Sequence, residues 1–147
     1  MLLNFHQTVA AIIEKDRKFL MVKERTKDGI KLNQPAGHLE SNETLLNAVI
    51  RETKEETACK FFPENFLGIY KWQNPNNKET FIRYAFIGSV DGGSKDQDLD
   101  DAIIDTLWLT AEQILTRNDH RSILVGQCLQ DYLSGLSYPL DIINEIN

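Results

Sequence analysis

GHLESNETLLNAVIRETKEETAC, which spans residues 37–59, is the segment that decides the fold. It reads as a polar loop followed by a helix, and the helix ends in a cluster of charges formed by Arg51, Glu52, Glu55 and Glu56. Residues three and four apart on a helix are neighbours, with Cβ atoms about 5–6 Å apart. Like charges at that spacing oppose helix formation, so the cluster indicates that a cation lies among the carboxylates.

The same carboxylates predict a metal site for phosphate chemistry. Hard divalent cations such as Mg²⁺ prefer carboxylate, carbonyl and water oxygens, and they accompany phosphate substrates. Glu52, Glu55 and Glu56 would present three negative ligands from one rigid element. The alternative interpretation is a charged, solvated helix face, which is what a run of charges usually forms.

The spacing of the segment resembles the Nudix box. In that motif a Gly is followed after five residues by Glu, and after seven more by Arg-Glu-U-x-Glu-Glu-x-Gly-U, where U is a bulky aliphatic residue. The matching positions here are Gly37, Glu43, Arg51, Glu52, Glu55 and Glu56. Three positions depart from the motif, since Thr53 and Cys59 replace aliphatic residues and Ala58 replaces the last Gly.

The resemblance implies an α/β fold of the Nudix type, an α/β/α sandwich with a mixed β-sheet. It implies that the three helix glutamates bind Mg²⁺ or Mn²⁺, with a further ligand from the backbone carbonyl of Ala36. Arg51 would orient the carboxylates through charge-assisted hydrogen bonds, for which a planar guanidinium suits better than Lys. Glu43 would support the loop before the helix.

Segments outside the box resemble bacterial phosphatases of the same family. They are residues 33–40 (NQPAGHLE), Arg121-Ser122 and residues 138–140 (YPL). The resemblance implies a metal-dependent hydrolase of nucleoside di- and triphosphates, hydroxymethylpyrimidine diphosphate or thiamine diphosphate. Two alternatives stay open: a Nudix enzyme for ADP-ribose or dinucleoside polyphosphates, and a nucleotide sensor without activity, which would be expected to lose box carboxylates.

The sequence leaves open which residue accepts the proton during hydrolysis. Glu52 would accept the proton of the attacking water, but a metal-bound carboxylate loses basicity. Many family members use an acid on a loop outside the box, and Asp100 and Asp101 are the candidates for that role. The alternative is that acidic loop residues only promote solubility, which is the interpretation for Asp96 and Asp98.

Recognition of the rest of the substrate is predicted on two strands. Strand alternation places Phe81 and Arg83 on one face, and Trp72 precedes them on a neighbouring strand. An aromatic ring beside an Arg suits a flat ring and its phosphate, although a core with one exposed Arg explains the pattern too. Gln34 and Arg25, which precede the box, are further candidates for phosphate contacts.

Composition sets the broad class. A chain of 147 residues is long enough for one domain with a real core, so residues 1–147 are predicted to form a single domain. The net charge of −6 argues against general binding to nucleic-acid phosphates. Cys59 and Cys128 are too few for a disulfide framework, and the start of the chain supports neither a signal peptide nor a membrane span. We expect a cytoplasmic monomer or homodimer that acts on a small phosphorylated molecule.

The hydrophobic pattern predicts interleaved strands and helices. Strands are predicted at residues 6–13, 18–22, 67–72, 80–87 and 104–109, and residues 25–31 read as a loop. The first helix is predicted to have Ser41 or Asn42 as its N-cap. The second is predicted to begin with a capping box formed by residues 110–113, and the third to begin at Arg121. The first helix is predicted to bury one stripe, consisting of Leu46, Val49, Ile50, Thr53 and Thr57.

Overall fold

Seven strands form one mixed sheet in the computed structural model, which describes residues 5–94 and 96–146. The strands are β1 (Phe5–Lys15), β2 (Lys18–Thr26), β3 (Gly29–Asn33), β4 (Ala36–His38), β5 (Phe61–Gln73), β6 (Thr80–Val90) and β7 (Ile103–Thr110). Their order is β3-β2-β1-β6-β5, while β4 pairs with β1 and β7 pairs with β2. β1 runs parallel to β6 and the other pairs are antiparallel.

Helices cover both faces of this sheet. They are α1 (Leu45–Thr57), α2 (Ala111–Leu115) and α3 (Ile123–Leu133), followed by a 3₁₀ turn at Leu140–Ile142. One apolar cluster joins α1 to the sheet through Val49, Phe66 and Phe86. A second cluster lies on the opposite face, where α2 and α3 contribute Ile114 and Leu129. The predicted α/β/α sandwich with a mixed sheet is therefore confirmed.

β1 supplies core residues to both layers. Val9, Ala11 and Ile13 belong to the α1 cluster, whereas Ile12 belongs to the α3 cluster. Successive side chains of a strand point to opposite faces, so a strand covered on both faces reads as a continuous apolar run. This explains why residues 9–13 lack the alternation of a half-exposed strand.

The segment between β2 and β4 differs from the prediction. Residues 25–31 were predicted as a loop, but β2 extends to Thr26 and β3 begins at Gly29. Gly29 has φ of 104°, a conformation that favours glycine and permits a tight turn. The error was to read the charged residues on either side of this turn as loop rather than strand.

The start and the buried face of α1 also differ from the prediction. The N-cap is Thr44, whose side chain accepts from the backbone N–H of Asn47, so the predicted caps Ser41 and Asn42 are wrong. Glu43 consequently precedes the helix instead of lying in its first turn. The buried residues of α1 are Ala48, Val49, Glu52, Thr53, Glu56 and Thr57. The predicted residues Val49, Thr53 and Thr57 are among them, and Leu46 and Ile50 pack partly buried against the same cluster. The buried face is wider than predicted because it also contains two carboxylates, which apolar periodicity does not reveal.

The later helices follow the prediction closely. Thr110 and Gln113 form a capping box at the start of α2, and Ser122 caps α3. Over the described ranges, none of the helices combines the length and the apolar character that crossing a bilayer requires.

The first testable prediction concerns the end of α1. Ala58 is the C-cap in the left-handed conformation, with φ of 62°, and donates its N–H to the carbonyl of Lys54. A non-glycine residue there costs about 1–2 kcal/mol, partly offset by the lower entropy of unfolded Ala, about 0.4–1 kcal/mol. We expect Ala58→Gly to raise the free energy of unfolding in urea by about 0.5–1 kcal/mol.

Ala48 provides the matched control. It is buried in the middle of α1, where the backbone is right-handed, so Ala48→Gly should lower the free energy of unfolding by about 1 kcal/mol or more. Equal destabilisation by both substitutions would contradict the claim that Ala58 is strained.

Candidate active site

A cleft of about 360 Å³ opens between α1, the exposed ends of β2 and β6, and the start of α3. Its acidic lining, which we call the acidic side, comes from α1, β2 and the loop before β7, namely Glu52, Glu56, Glu24 and Asp100. Its cationic and aromatic lining consists of Arg83, Arg121, Trp72 and Phe81, and Arg121 lies 3.4 Å from Glu24. Residues 36–38 also line the cleft.

Arg51 organises the acidic side. Its Nε and Nη2 donate to both carboxylate oxygens of Glu43 at 2.6 and 2.9 Å. Its Nη1 donates to Glu52 at 2.8 Å and to Glu55 at 3.2 Å, and Nη2 also donates to the carbonyl of His38 at 3.0 Å. These contacts use all five N–H groups of the guanidinium. The hydrogen bond from Arg51 lowers the pKa of Glu43, and the same contacts raise the pKa of Arg51.

Glu52 lies directly against Gly37. A Cβ atom on Gly37 would overlap the carboxylate of Glu52, so only glycine permits this approach of the β4 backbone to α1. The side chain of Glu52 is 11% exposed. Burial raises the pKa of Glu52, and this effect outweighs the opposing interaction with Arg51.

Glu56 is the most deeply buried acid of the cleft. One carboxylate oxygen accepts the backbone N–H of Ala36 at 3.0 Å. Burial raises the pKa of Glu56 to about 9, assisted by the negative charges of Glu24, Glu52 and Asp100. Without a cation this carboxyl therefore keeps its proton at neutral pH, and a bound cation would favour its ionised form.

The donor set fits a hard divalent cation. It consists of the buried carboxylates of Glu52 and Glu56 beside the backbone of β4, and oxygen ligands are those that such a cation prefers. Glu55 differs from Glu52 and Glu56 because it is exposed. In the part of the chain that the structure describes, no three or more Asp, Glu, His or Cys side chains are arranged to hold a metal ion together. Glu52 and Glu55 each direct an oxygen at Arg51 instead.

The structure separates the two loop acids. Asp100 lines the cleft, and its N–H donates to the carbonyl of Glu55 at 2.9 Å. Asp101 is exposed and does not line the cleft; its carbonyl accepts a hydrogen bond from Arg25 at 3.4 Å. Of the two candidates for the proton acceptor, only Asp100 is brought next to the α1 carboxylates.

Glu24 is a cleft residue that the sequence analysis missed. It accepts from the side-chain amide of Asn33 at 3.2 Å and lies 3.4 Å from Nε of Arg121. Burial raises its pKa above the ordinary value. A signal was present, because Leu20, Val22 and Glu24 alternate on one face of β2 and a Glu that continues a buried face is unusual.

The proposed substrate contacts are only partly brought together. Trp72 and Phe81 are paired across β5 and β6, with ring centroids 5.9 Å apart, and both line the cleft with Arg83. Gln34 is buried behind Arg83 and does not line the cleft, since it donates to the carbonyl of Val125. Arg25 is exposed beside the cleft and outside its lining.

The comparisons with known proteins agree with this geometry. The family model of the NUDIX domain matches residues 4–125, and the chain therefore belongs to the Nudix family. It is 38% identical over 142 residues to phosphatase NudJ of Escherichia coli, covering 97% of this chain and 92% of NudJ. It is 43% identical to a solved NUDIX hydrolase from Nitrosomonas europaea, with a TM-score of 0.93 and coverage of 97% and 98%.

A more distant structure shows the fold alone. The MutT NUDIX hydrolase from Burkholderia pseudomallei has 17% identity and a TM-score of 0.74, and the match covers 87% of this chain and 98% of that one.

The family model and the similarity to phosphatase NudJ show that the protein is a Nudix hydrolase, an enzyme that acts on phosphorus-containing anhydrides. Nudix hydrolases generally use divalent metal ions and act on small phosphorylated substrates.

The pKa of Glu56 leads to a prediction about stability and pH. In the unfolded chain this carboxyl ionises near 4.5, whereas in the folded protein it holds its proton up to about 9. The folded state therefore binds more protons between these values, and its stability contribution falls as pH rises through that window. We expect the free energy of unfolding in EDTA to decrease more steeply between pH 6 and pH 9 for the wild type than for Glu56→Gln. Identical pH dependences would contradict the burial of an ionisable carboxyl.

Proposed function

We propose that this Nudix hydrolase cleaves the phosphoanhydride bonds of small organic di- and triphosphates with Mg²⁺, or Mn²⁺ in its place. Nucleoside di- and triphosphates, hydroxymethylpyrimidine diphosphate and thiamine diphosphate are the proposed substrates. The observation that carries the proposal is the row of acids on α1 at the edge of the cleft, where Arg51 holds Glu52 and Glu55 and the N–H of Ala36 holds Glu56. The similarity to phosphatase NudJ supports the substrate class.

The metal would be held by Glu52, Glu55, Glu56 and the backbone carbonyl of Ala36. When bound, such an ion neutralises phosphate oxygens and lowers the pKa of a water molecule. Glu56 is anchored by the N–H of Ala36, so the carbonyl and the carboxylate proposed as ligands belong to adjoining groups. The exposed Glu55 lies nearer to the solvent and needs only a rotation of its side chain to leave Arg51.

Arg51 and its partners position the carboxylates without contacting the reacting atoms. Glu43 binds the guanidinium through both oxygens, which holds its plane and directs Nη1 at Glu52 and Glu55. A Lys at this position would lack the paired N–H groups for that arrangement. Gly37 also helps to position Glu52, because the absence of a side chain lets the backbone approach its carboxylate.

Asp100 is our proposed proton acceptor, with Glu52 as the alternative. Asp100 lies in the cleft beside the acids of α1, and its backbone is fixed by the hydrogen bond to the carbonyl of Glu55. A carboxylate that is not a metal ligand keeps more basicity than one that is. Asp101 is the weaker candidate because it does not line the cleft.

Trp72 and Phe81 are proposed to contact the ring of the substrate. Their paired rings offer an apolar wall against which any flat ring can pack. Such a wall discriminates weakly between bases, so we expect several nucleotides and a pyrimidine diphosphate to react.

We also propose that residues 1–147 act as one domain in the cytoplasm, as a monomer or homodimer, because both cysteines are free and the net charge is −6.

Substitution of the acids tests the proposal. We expect Glu55→Gln and Glu56→Gln to fold, since Gln keeps the size of each side chain. Turnover should fall by more than about 100-fold, because even outer partners of metal ligands contribute about 10- to 100-fold. Phosphate and pyrophosphate release would be measured with Mg²⁺, and Mn²⁺ binding by calorimetry. Glu112→Gln, at an exposed position of α2, is the control. Normal turnover in both box variants would refute the metal-site assignment.

A substrate panel tests the proposed class. It would contain nucleoside di- and triphosphates, hydroxymethylpyrimidine and thiamine diphosphates, ADP-ribose and dinucleoside polyphosphates, with every product identified. We expect turnover of several nucleotides and of the pyrimidine diphosphate. Turnover of ADP-ribose or dinucleoside polyphosphates alone would refute the proposed class within the family. Tight nucleotide binding without any product would indicate a sensor.

A further inference from the structure

Arg83 is a buried cation without an anionic partner. It lies on β6, is only 5% exposed and forms part of the cleft lining. Its Nη1 donates to the side-chain carbonyl of Gln34 at 2.8 Å, and its Nη2 donates to that of Asn33 at 2.9 Å. Both acceptors are neutral amides, and the remaining neighbour is the thiol of Cys128, 3.8 Å from Nη1. Within residues 5–94 and 96–146, no carboxylate oxygen lies within 4 Å of this guanidinium.

Two N–H groups of Arg83 have no acceptor in the described part of the chain. Of its five N–H groups, Nη1 uses two and Nη2 uses one, which leaves those on Nε and Nη2. Thr53 Oγ1 is the only fully enclosed side-chain N or O atom without a partner in those ranges. Nε of Arg83 is therefore accessible from the cleft. Two adjacent donors match two oxygens of a phosphate group.

The surroundings of Arg83 favour an anion over a neutral ligand. A guanidinium stays charged at any physiological pH, and burial without a counter-charge is unfavourable. The other cleft arginine, Arg121, already has a carboxylate neighbour in Glu24. Arg83 shares its strand face with Phe81, two residues earlier, and Glu52 and Glu56 line the same cleft. An oxyanion on Arg83 would thus lie in the cleft that the aromatic wall and those acids also line.

We infer that Arg83 binds a second phosphate group of the substrate, separate from the one that a metal ion at the α1 acids would contact. This inference rests on the proposed function. Arg83 then selects for the phosphate chain, because a monophosphate cannot occupy both positions. Gln34 and Asn33 are positioning residues, since they hold the guanidinium with neutral carbonyls and leave its charge available for the ligand.

Binding measurements separate this role from a structural one. Calorimetry with Mg²⁺ would compare α,β-methylene-ADP, which resists cleavage between its phosphates, with AMP, which carries the same ring. We expect the wild type to prefer the diphosphate, and Arg83→Met to reduce this preference by about 10- to 100-fold, the range expected for charged hydrogen bonds. Arg17→Met, at the exposed β1–β2 turn, should leave the preference unchanged.

A second variant keeps Arg83 in place if Arg83→Met does not fold. Gln34→Glu places a carboxylate against the guanidinium at a residue outside the cleft lining, and it should also reduce the preference for the diphosphate. Equal weakening of both ligands by these variants, or equal affinity of the wild type for both, would overturn the inference and leave the proposed hydrolysis intact. Absence of turnover across the substrate panel would overturn the proposed function itself.

Discussion

The five hydrogen bonds of Arg51 are the interaction on which the acidic side of the cleft depends. Three carboxylates and one carbonyl converge on this side chain, and without it Glu52 and Glu55 would repel each other on α1. The paired contact with Glu43 ties the loop before α1 to the helix, and the contact with His38 ties the helix to β4. A guanidinium suits this task because its donors are planar and fixed.

The α1 acids and Arg83 line the same cleft without pairing with each other, whereas Arg121 lies beside Glu24. Burial raises the pKa values of Glu52 and Glu56 on the acidic side, which favours the protonated forms until a cation arrives. Arg83 is held by amides rather than by acids. This arrangement lowers the local stability of the free protein. A metal ion would supply the cation that the α1 acids lack, and a polyphosphate would supply the anion that Arg83 lacks.

The structure explains one departure from the family motif, Ala58, and offers no explanation for another, Thr53. Ala58 adopts the left-handed conformation that the motif reserves for glycine, so α1 still ends at the same residue, with some strain. Thr53 stands at an aliphatic position and is fully buried, and its hydroxyl has no partner among the described residues. Neither residue contacts the cleft, and both departures therefore leave the arrangement of the acids unchanged.

The sequence by itself determined the family, the layered α/β fold and the acids of α1, because these depend on fixed spacings along a helix and on the apolar run of β1. It predicted the apolar stripe of α1, but not that Glu52 and Glu56 are buried beside that stripe. Only the tertiary structure decided that Glu24 and Asp100 join these acids, and that Gln34 lies behind Arg83. The physical reason is that these contacts join residues far apart in the chain, whose approach is set by strand pairing and by the packing of α1 and α3 on the sheet.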